Sequence, residues 1–421
     1  MRLIRTSSRS TAAVIESLKQ RGNISLDSVQ PIVKRIIADV RTHGDSALLR
    51  YAKRFDKLAA NLGARVEAEE TASAWAALDP GLKRALERAA KQIRSFAQRQ
   101  SPKSWMNSPI PGLKTGQLVR PIKAVACYVP GGRHPLPSTM LMTAIPAQVA
   151  SVPRIAVFSP NPAPETLATA HLLGITEIYR IGGAHAIAAA AYGTESITAV
   201  SKIVGPGNLY VTAAKRIVAQ DRGPGSIDML AGPTEIVVTS ETGKPASIAS
   251  DLIAQAEHDP ATLSVFITTQ DPLARAVMAA VKEQSRNNAT AKEALKQNGY
   301  AIVCKTVEEA QALTNAIAPE HLTVDTITDL DWVQNAGSVF VGPYSPQPMG
   351  DYISGPNHTL PTGGMASFRG GLSVNDFVKL ITVQEYTRQG LANLGPDAIR
   401  LAESEGLAGH AAAICERLAE A

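Results

Sequence analysis

Over the first hundred residues the apolar positions recur at three- and four-residue spacing, the mark of helices with one buried face. Ile32, Val33, Ile36, Ile37 and Val40 form one such stripe, with Ser25 or Asp27 placed to cap its helix. Leu82, Leu86, Ile93 and Phe96 form another over residues 80 to 100. Pro80 opens it, a residue suited to a first turn because it has no N–H to leave unpaired. From about residue 120 the pattern changes to short, continuous apolar runs. Ile122 to Val129, Arg154 to Phe158 and Glu177 to Ile181 read as strands, followed by alanine-rich helical runs at 139–150, 164–173 and 184–192. The alternation resumes with strands at 234–239, 264–268, 301–304 and 338–341 and helices at 246–258, 272–284 and 307–317. This rhythm predicts parallel sheets, in two tandem α/β units interleaved with a helical N-terminal segment. The stretch from Gly350 to Gly364 reads as a long glycine- and proline-rich loop, and the last fifty residues as helical.

Composition narrows the classes. The 421 residues are 45% hydrophobic and 19% charged, ordinary for a globular protein with a large core. Net charge is +5, but Lys83, Arg84, Arg88, Lys91 and Arg94 fall at helical spacing and read as a solvated face, so no nucleic-acid partner is expected. Cys127, Cys304 and Cys415 are odd in number and match no Cys-x-x-Cys pattern. They indicate neither a disulfide framework nor a thiolate metal site, and fit a reducing compartment. No apolar span fits a bilayer and no signal peptide is visible, so a cytoplasmic protein is expected.

Three constellations carry chemistry. Gln255 and His258, three apart on a predicted helix, point to one face, and Asp351 and His358 follow in the glycine-rich loop. Imidazole and oxygen donors suit zinc, although a Gln-x-x-His pair also fits a plain surface helix. Glu320-His321 juxtaposes two proton-transfer groups, and equally fits a helix start with its acid near the positive dipole end. Glycine turns end the strands at Val129-Pro-Gly-Gly132, Ile181-Gly-Gly183 and Val204-Gly-Pro-Gly-Asn208. They allow backbone to approach a phosphate, but none matches the dinucleotide fingerprint Gly-x-Gly-x-x-Gly.

In this order Tyr128-Val-Pro-Gly-Gly132, Gly205-Pro-Gly-Asn208, Ala231-Gly-Pro-Thr-Glu235, Gln255-Ala-Glu-His258, Pro319-Glu-His-Leu322, Gly350-Asp351, Gly355-Pro-Asn-His358, Glu405 and His410 resemble the histidinol dehydrogenase family almost end to end. The resemblance implies zinc-dependent oxidation of L-histidinol through the aldehyde to L-histidine, with two NAD. It implies one zinc per subunit held by Gln255, His258, Asp351 and His410, and Glu320 and His321 as the acid-base pair. Thr234 and Glu405, with His321 and the zinc ligands, would surround the substrate. Tyr128, His185 and Asn208 would line the NAD groove. The implied architecture is two tandem, incomplete Rossmann-like domains in an intertwined homodimer whose C-terminal Glu405 and His410 reach the partner's site. The divisions expected are an arm at 1–20, a zinc and catalytic domain at 21–127 plus 235–370, an NAD domain at 128–234 and a tail at 371–421. Two positions depart from the family: His185 stands where Gln is common, and Thr234 where Ser is common. Three rivals stay open: a same-fold dehydrogenase of another alcohol, a zinc hydrolase without NAD, and a non-catalytic zinc protein.

Overall fold

The structure is a computed structural model that describes residues 1–7, 12–19, 21, 26–59, 62–131 and 135–419. The chain opens with β1 (Arg2–Arg5), α1 (Ala12–Lys19), α2 (Gln30–Phe55), α3 (Ala68–Ala77) and α4 (Pro80–Gln100), then β2 (Trp105–Ile110) and β3 (Leu113–Pro121). A first α/β run follows: β4 (Ala124–Tyr128), α5 (Pro137–Val149), β5 (Arg154–Phe158), α6 (Pro164–Leu172), β6 (Glu177–Tyr179), α7 (Gly183–Tyr192), β7 (Lys202–Val204) and α8 (Leu209–Arg222). The second comprises β8 (Glu235–Thr239), α9 (Pro245–Ala256), β9 (Leu263–Thr268), α10 (Asp271–Gln284), α11 (Ala289–Asn298), β10 (Gly299–Val303), α12 (Val307–Ile317), β11 (His321–Val324) and β12 (Ser338–Val341). The chain closes with α13 (Pro348–Tyr352), β13 (Val378–Tyr386), α14 (Arg388–Ser404) and α15 (Ala408–Ala419).

Both runs form parallel sheets, as the βαβ rhythm predicts. One has four strands in the order β6-β5-β4-β7, the other six in the order β1-β10-β9-β8-β11-β12. Their strands are continuous apolar runs because both faces are covered. In β4, Ala124, Ala126 and Tyr128 enter a core with α2, α7 and α8, while Val125 and Cys127 enter one with α4 and α5. In β8, Val237 packs towards α12, and Ile236 and Val238 towards α9, α10 and α11. The helices over 30–100 therefore share their cores with the four-stranded sheet.

Several expectations need correction. Ser25 lies outside the described residues, and Asp27 is no cap: α2 begins after Val29, which gives no side-chain cap. The N-terminal segment is not all helix, since β1 pairs in parallel with β10 and forms one edge of the six-stranded sheet. The last fifty residues are not all helix either. β13 joins β3 and β2 in a separate antiparallel sheet. That sheet keeps Trp105, Met106, Leu380 and Ile381 exposed, so its strands lack the buried run that marks the others. The helix expected through 258 stops at Ala256, leaving His258 just beyond it.

Candidate functional site

In α9 the buried Ile248, Ala249 and Leu252 fix the helix on the sheet, and Gln255 in its last turn is 98% buried. A helix that follows a parallel strand runs back against it, so its last turn arrives at the amino edge of the sheet. There it meets Thr234, one residue before β8, and Glu320 and His321, at the start of β11. β11 lies beside β8 with His321 opposite Ile236. The helix-start alternative for Glu320-His321 is thus replaced by a strand start.

Hydrogen bonds join these residues into one cluster. Gln255 Nε2 donates to Thr234 Oγ1, and the Thr234 hydroxyl donates to Glu320 Oε2 at 2.5 Å. The Glu235 N–H donates to the same carboxylate oxygen at 2.9 Å. His321 Nδ1 lies 3.0 Å from the Glu235 carbonyl. A carbonyl only accepts, so Nδ1 carries the proton and Nε2 holds the free lone pair. That Nε2 lies 3.8 Å from Asp351 Oδ1. Asp351 Oδ2 accepts from Gln347 Nε2 at 2.8 Å, which turns Oδ1 towards the imidazole. Gln255 Oε1 and His321 Nε2 are buried and have no hydrogen-bond partner.

Burial pushes the Glu320 carboxyl well above its ordinary range, only partly opposed by the Thr234 and Glu235 hydrogen bonds. Burial also holds His321 below its ordinary value, with Asp351 opposing the shift. The result is a neutral imidazole and a carboxylate of high proton affinity side by side, two acceptors suited to proton removal.

His258 is exposed at the rim of this cluster. His358, which the sequence groups with the candidate zinc donors but which the family resemblance leaves out of the ligand set, belongs here too. Its Nδ1 is 2.9 Å from the Asp351 carbonyl, and His321 and His258 are close enough to depress its proton affinity further after burial has lowered it. Sequence reasoning also left Gln347 without a role. Glu405 and His410 are exposed beside the turn between α14 and α15, and neither is joined to the cluster by a hydrogen bond or ion pair among the described residues. Among those residues no three His, Cys, Asp or Glu side chains stand together as a metal site. Of the expected zinc ligands, Gln255 belongs to the hydrogen-bonded cluster, Asp351 lies beside His321 and His258 is exposed at the rim.

A second feature lies at the carboxyl edge of the four-stranded sheet. Strand order reverses between β4 and β7, the position where open α/β sheets leave a crevice for ligands. A cavity of about 640 Å³ opens there, lined by Tyr128, Gly131, Pro160, His185, Asn208 and Tyr210, with α2 supplying Ile32 and Phe55 as the opposite wall. All three residues expected in the NAD groove line it. Gly132 lies outside the described residues. The Gly183 N–H donates to the Tyr128 hydroxyl at 3.0 Å, and burial pushes that hydroxyl up to about 12, so it stays neutral. Asn208 Oδ1 caps α8 by accepting from Tyr210 and Val211 N–H. His185 Nε2 lies 2.7 Å from Asp56 Oδ2, which also accepts from the Gly182 N–H at 3.0 Å. Gly205, at φ +108°, fits because a Cβ there would stand 2.2 Å from the Tyr128 carbonyl oxygen.

Comparison with known proteins places this architecture. The family model for histidinol dehydrogenase matches residues 19–418. Histidinol dehydrogenase from Syntrophotalea carbinolica is 42% identical over 432 aligned positions, covering 99% of each chain. The enzyme from Methanothermobacter thermautotrophicus is 45% identical, covering 96% of this chain and 97% of its own. The crystal structure of histidinol dehydrogenase from Elizabethkingia anophelis superposes with a TM-score of 0.93 at 36% identity, covering 100% of this chain and 98% of the other.

Proposed function

The chain belongs to the histidinol dehydrogenase family and is an oxidoreductase of histidine biosynthesis, and from that premise we propose how its own residues divide the reaction. The observation that carries the proposal is the pair of buried atoms without partners, Gln255 Oε1 and His321 Nε2, inside one hydrogen-bonded cluster. Buried polar atoms are rarely left unpaired without a ligand to receive them.

We assign Gln255, His258 and Asp351 as zinc donors and His410 of a second copy as the fourth, one zinc per subunit. The fit rests on chemistry: Gln255 Nε2 is committed to Thr234, which leaves Oε1 as a free oxygen donor. Bound zinc orients and polarises the substrate without exchanging electrons, and bound NAD accepts the hydride of each oxidation. His321, protonated at Nδ1, takes the alcohol proton of L-histidinol at Nε2. The aldehyde then adds water, because only the gem-diol carries a second hydride to lose. Glu320, made a stronger base by burial, removes the proton of that water. Thr234 holds the Glu320 carboxylate, and Glu405 of the partner receives the substrate amine. NAD occupies the groove of Tyr128, His185 and Asn208.

The shared site is supported by exposed His258, Met349 and Tyr352 at the rim and by the exposed apolar side chains on both faces of the antiparallel sheet. These point to an intertwined homodimer. Two Rossmann-like domains remain our reading of the two parallel sheets. The shared cores argue for assigning α2 to α4 to the NAD domain, with 235–370 as the zinc domain, 1–20 an arm and 371–421 the dimer tail. Three free thiols support a cytoplasmic setting.

The test is NADH formation from L-histidinol by the zinc-loaded protein, with zinc counted per protomer. One zinc and substrate-dependent NADH are expected. Turnover of another alcohol but not of L-histidinol would overturn the substrate assignment. Mixing inactive His410→Ala with inactive His321→Asn should restore part of the activity, and proven heterodimers without recovery would overturn the shared site.

A further inference from the structure

We propose that Arg21 is a positioning residue for the catalytic pair, acting through Glu235. The inference rests on the reading of Glu320 and His321 as the proton-transfer groups. Both of them are held by the backbone of one residue: the Glu235 N–H binds the Glu320 carboxylate, and the Glu235 carbonyl binds His321 Nδ1. The place of both groups therefore depends on how firmly the start of β8 is fixed.

Glu235 carries an acid where a parallel strand usually holds an apolar residue, and it is 96% buried. Arg21 meets it with a two-pronged fork, Nε to Oε1 at 2.7 Å and Nη2 to Oε2 at 2.6 Å. The Gly363 N–H adds a third bond to Oε1 at 2.9 Å. The remaining guanidinium nitrogen, Nη1, donates to the carbonyls of Leu18 at 2.5 Å and Ile317 at 2.8 Å. Ile317 ends α12, three residues before Glu320. One guanidinium thus ties the start of β8 to the turn that delivers Glu320 and His321. A solvated ion pair would contribute little and need no such geometry. A buried fork fixes the plane of the carboxylate, and it neutralises a charge that would otherwise press on the Glu320 carboxylate.

Four variants test this with zinc-loaded protein: Arg21→Met, Arg21→Lys, Glu235→Gln and the double Arg21→Met/Glu235→Gln. Thermal melting, zinc content and calorimetric binding of L-histidinol are measured beside kcat and KM. For Arg21→Met we expect kcat to fall at least tenfold per folded protomer, with KM for L-histidinol and zinc content within threefold of the parent. Arg21→Lys keeps the charge but loses the fork and should fall between. If Arg21→Met does not fold, a loss of threefold or more in kcat for Arg21→Lys carries the test. The double variant should recover most of the loss, since it no longer leaves a buried carboxylate unpaired. Unchanged kcat in Arg21→Met, or in Arg21→Lys where that variant carries the test, would overturn the inference, as would an equal loss in the double variant. His321→Asn and Glu320→Gln run alongside: if they are inactive while the Arg21 variants match the parent, only this inference fails. If they keep full activity, the reading beneath it fails.

Discussion

The two parallel sheets follow one topological rule and place their cavity and their buried polar cluster at opposite edges. In the four-stranded sheet the order reverses between β4 and β7, and the carboxyl edge there opens into a cavity of about 640 Å³. In the six-stranded sheet the order reverses between β8 and β11, yet the crevice at that carboxyl edge is only about 40 Å³. The protein's own carboxylates close it. Asp325 accepts from the Ser240 hydroxyl at 2.5 Å, the Glu241 N–H at 2.8 Å and the Thr242 N–H at 3.1 Å. Glu241 in turn accepts from the Thr269 N–H at 2.8 Å. Backbone donors that would face an anion in an open sheet are satisfied internally. The proposed chemistry of this sheet lies at its amino edge, where Thr234, Gln255, Glu320 and His321 meet. One sheet thus keeps its carboxyl edge open, and the other fills that edge and gathers its buried polar cluster at the far one.

The largest break in this contrast is at the amino edge. His321→Asn should lower kcat for L-histidinol by roughly 10²- to 10⁴-fold, the usual worth of a positioned general base. Glu320→Gln should spare the first oxidation more than the second. Supplying histidinaldehyde directly checks the division of labour: full activity of Glu320→Gln on it would remove Glu320 from the water step. Next comes the open carboxyl edge. Gly205→Ala forces a Cβ onto the Tyr128 carbonyl at a left-handed φ. We expect a loss of at least about 2 kcal/mol in stability and a rise of roughly tenfold in KM for NAD. Wild-type NAD binding by calorimetry in that variant would show that the groove does not depend on this turn.

How much of this was legible in the sequence depended on burial. Strands covered on both faces, such as β4 and β9, announce themselves as apolar runs. β2 and β13 do not, because most of their side chains are exposed and their partner is β3. β1 is four residues long and pairs with a strand almost three hundred positions away. In the site, Gln255, Glu320, His321 and Asp351 were visible as motifs, since their chemistry is local in the chain. The Arg21–Glu235 fork was not, because its partners are 214 positions apart and Arg21 follows no pattern. The glycine turns were legible as turns, but at Gly205 the demand for glycine comes from the Tyr128 backbone as well as from any ligand.

Smaller effects sharpen the contrast at the closed edge. Asp325→Ala leaves three donors without an acceptor and should cost about 2–3 kcal/mol by chemical denaturation, with kcat of the folded protein unchanged. A change in kcat would mean that the closed edge contributes to the chemistry after all.

The smallest effect concerns Asp251, one helical turn before Gln255 in α9. Burial pushes its carboxyl up to about 6. An acid whose folded value is raised favours folding only while it is protonated. Its contribution is complete below the unfolded value near 4 and is lost as pH rises through about 6. The full shift would correspond to about 3 kcal/mol, but the carboxyl is partly exposed and solvent screening reduces the expected effect to about 1 kcal/mol. Asp251→Asn removes this dependence, so the variant should gain stability relative to the parent between pH 4 and 7. Parallel pH–stability curves for the two proteins over that range would show that Asp251 stays solvated. Binding of a second copy across this face would instead steepen the parent's curve, because it would bury the carboxyl further.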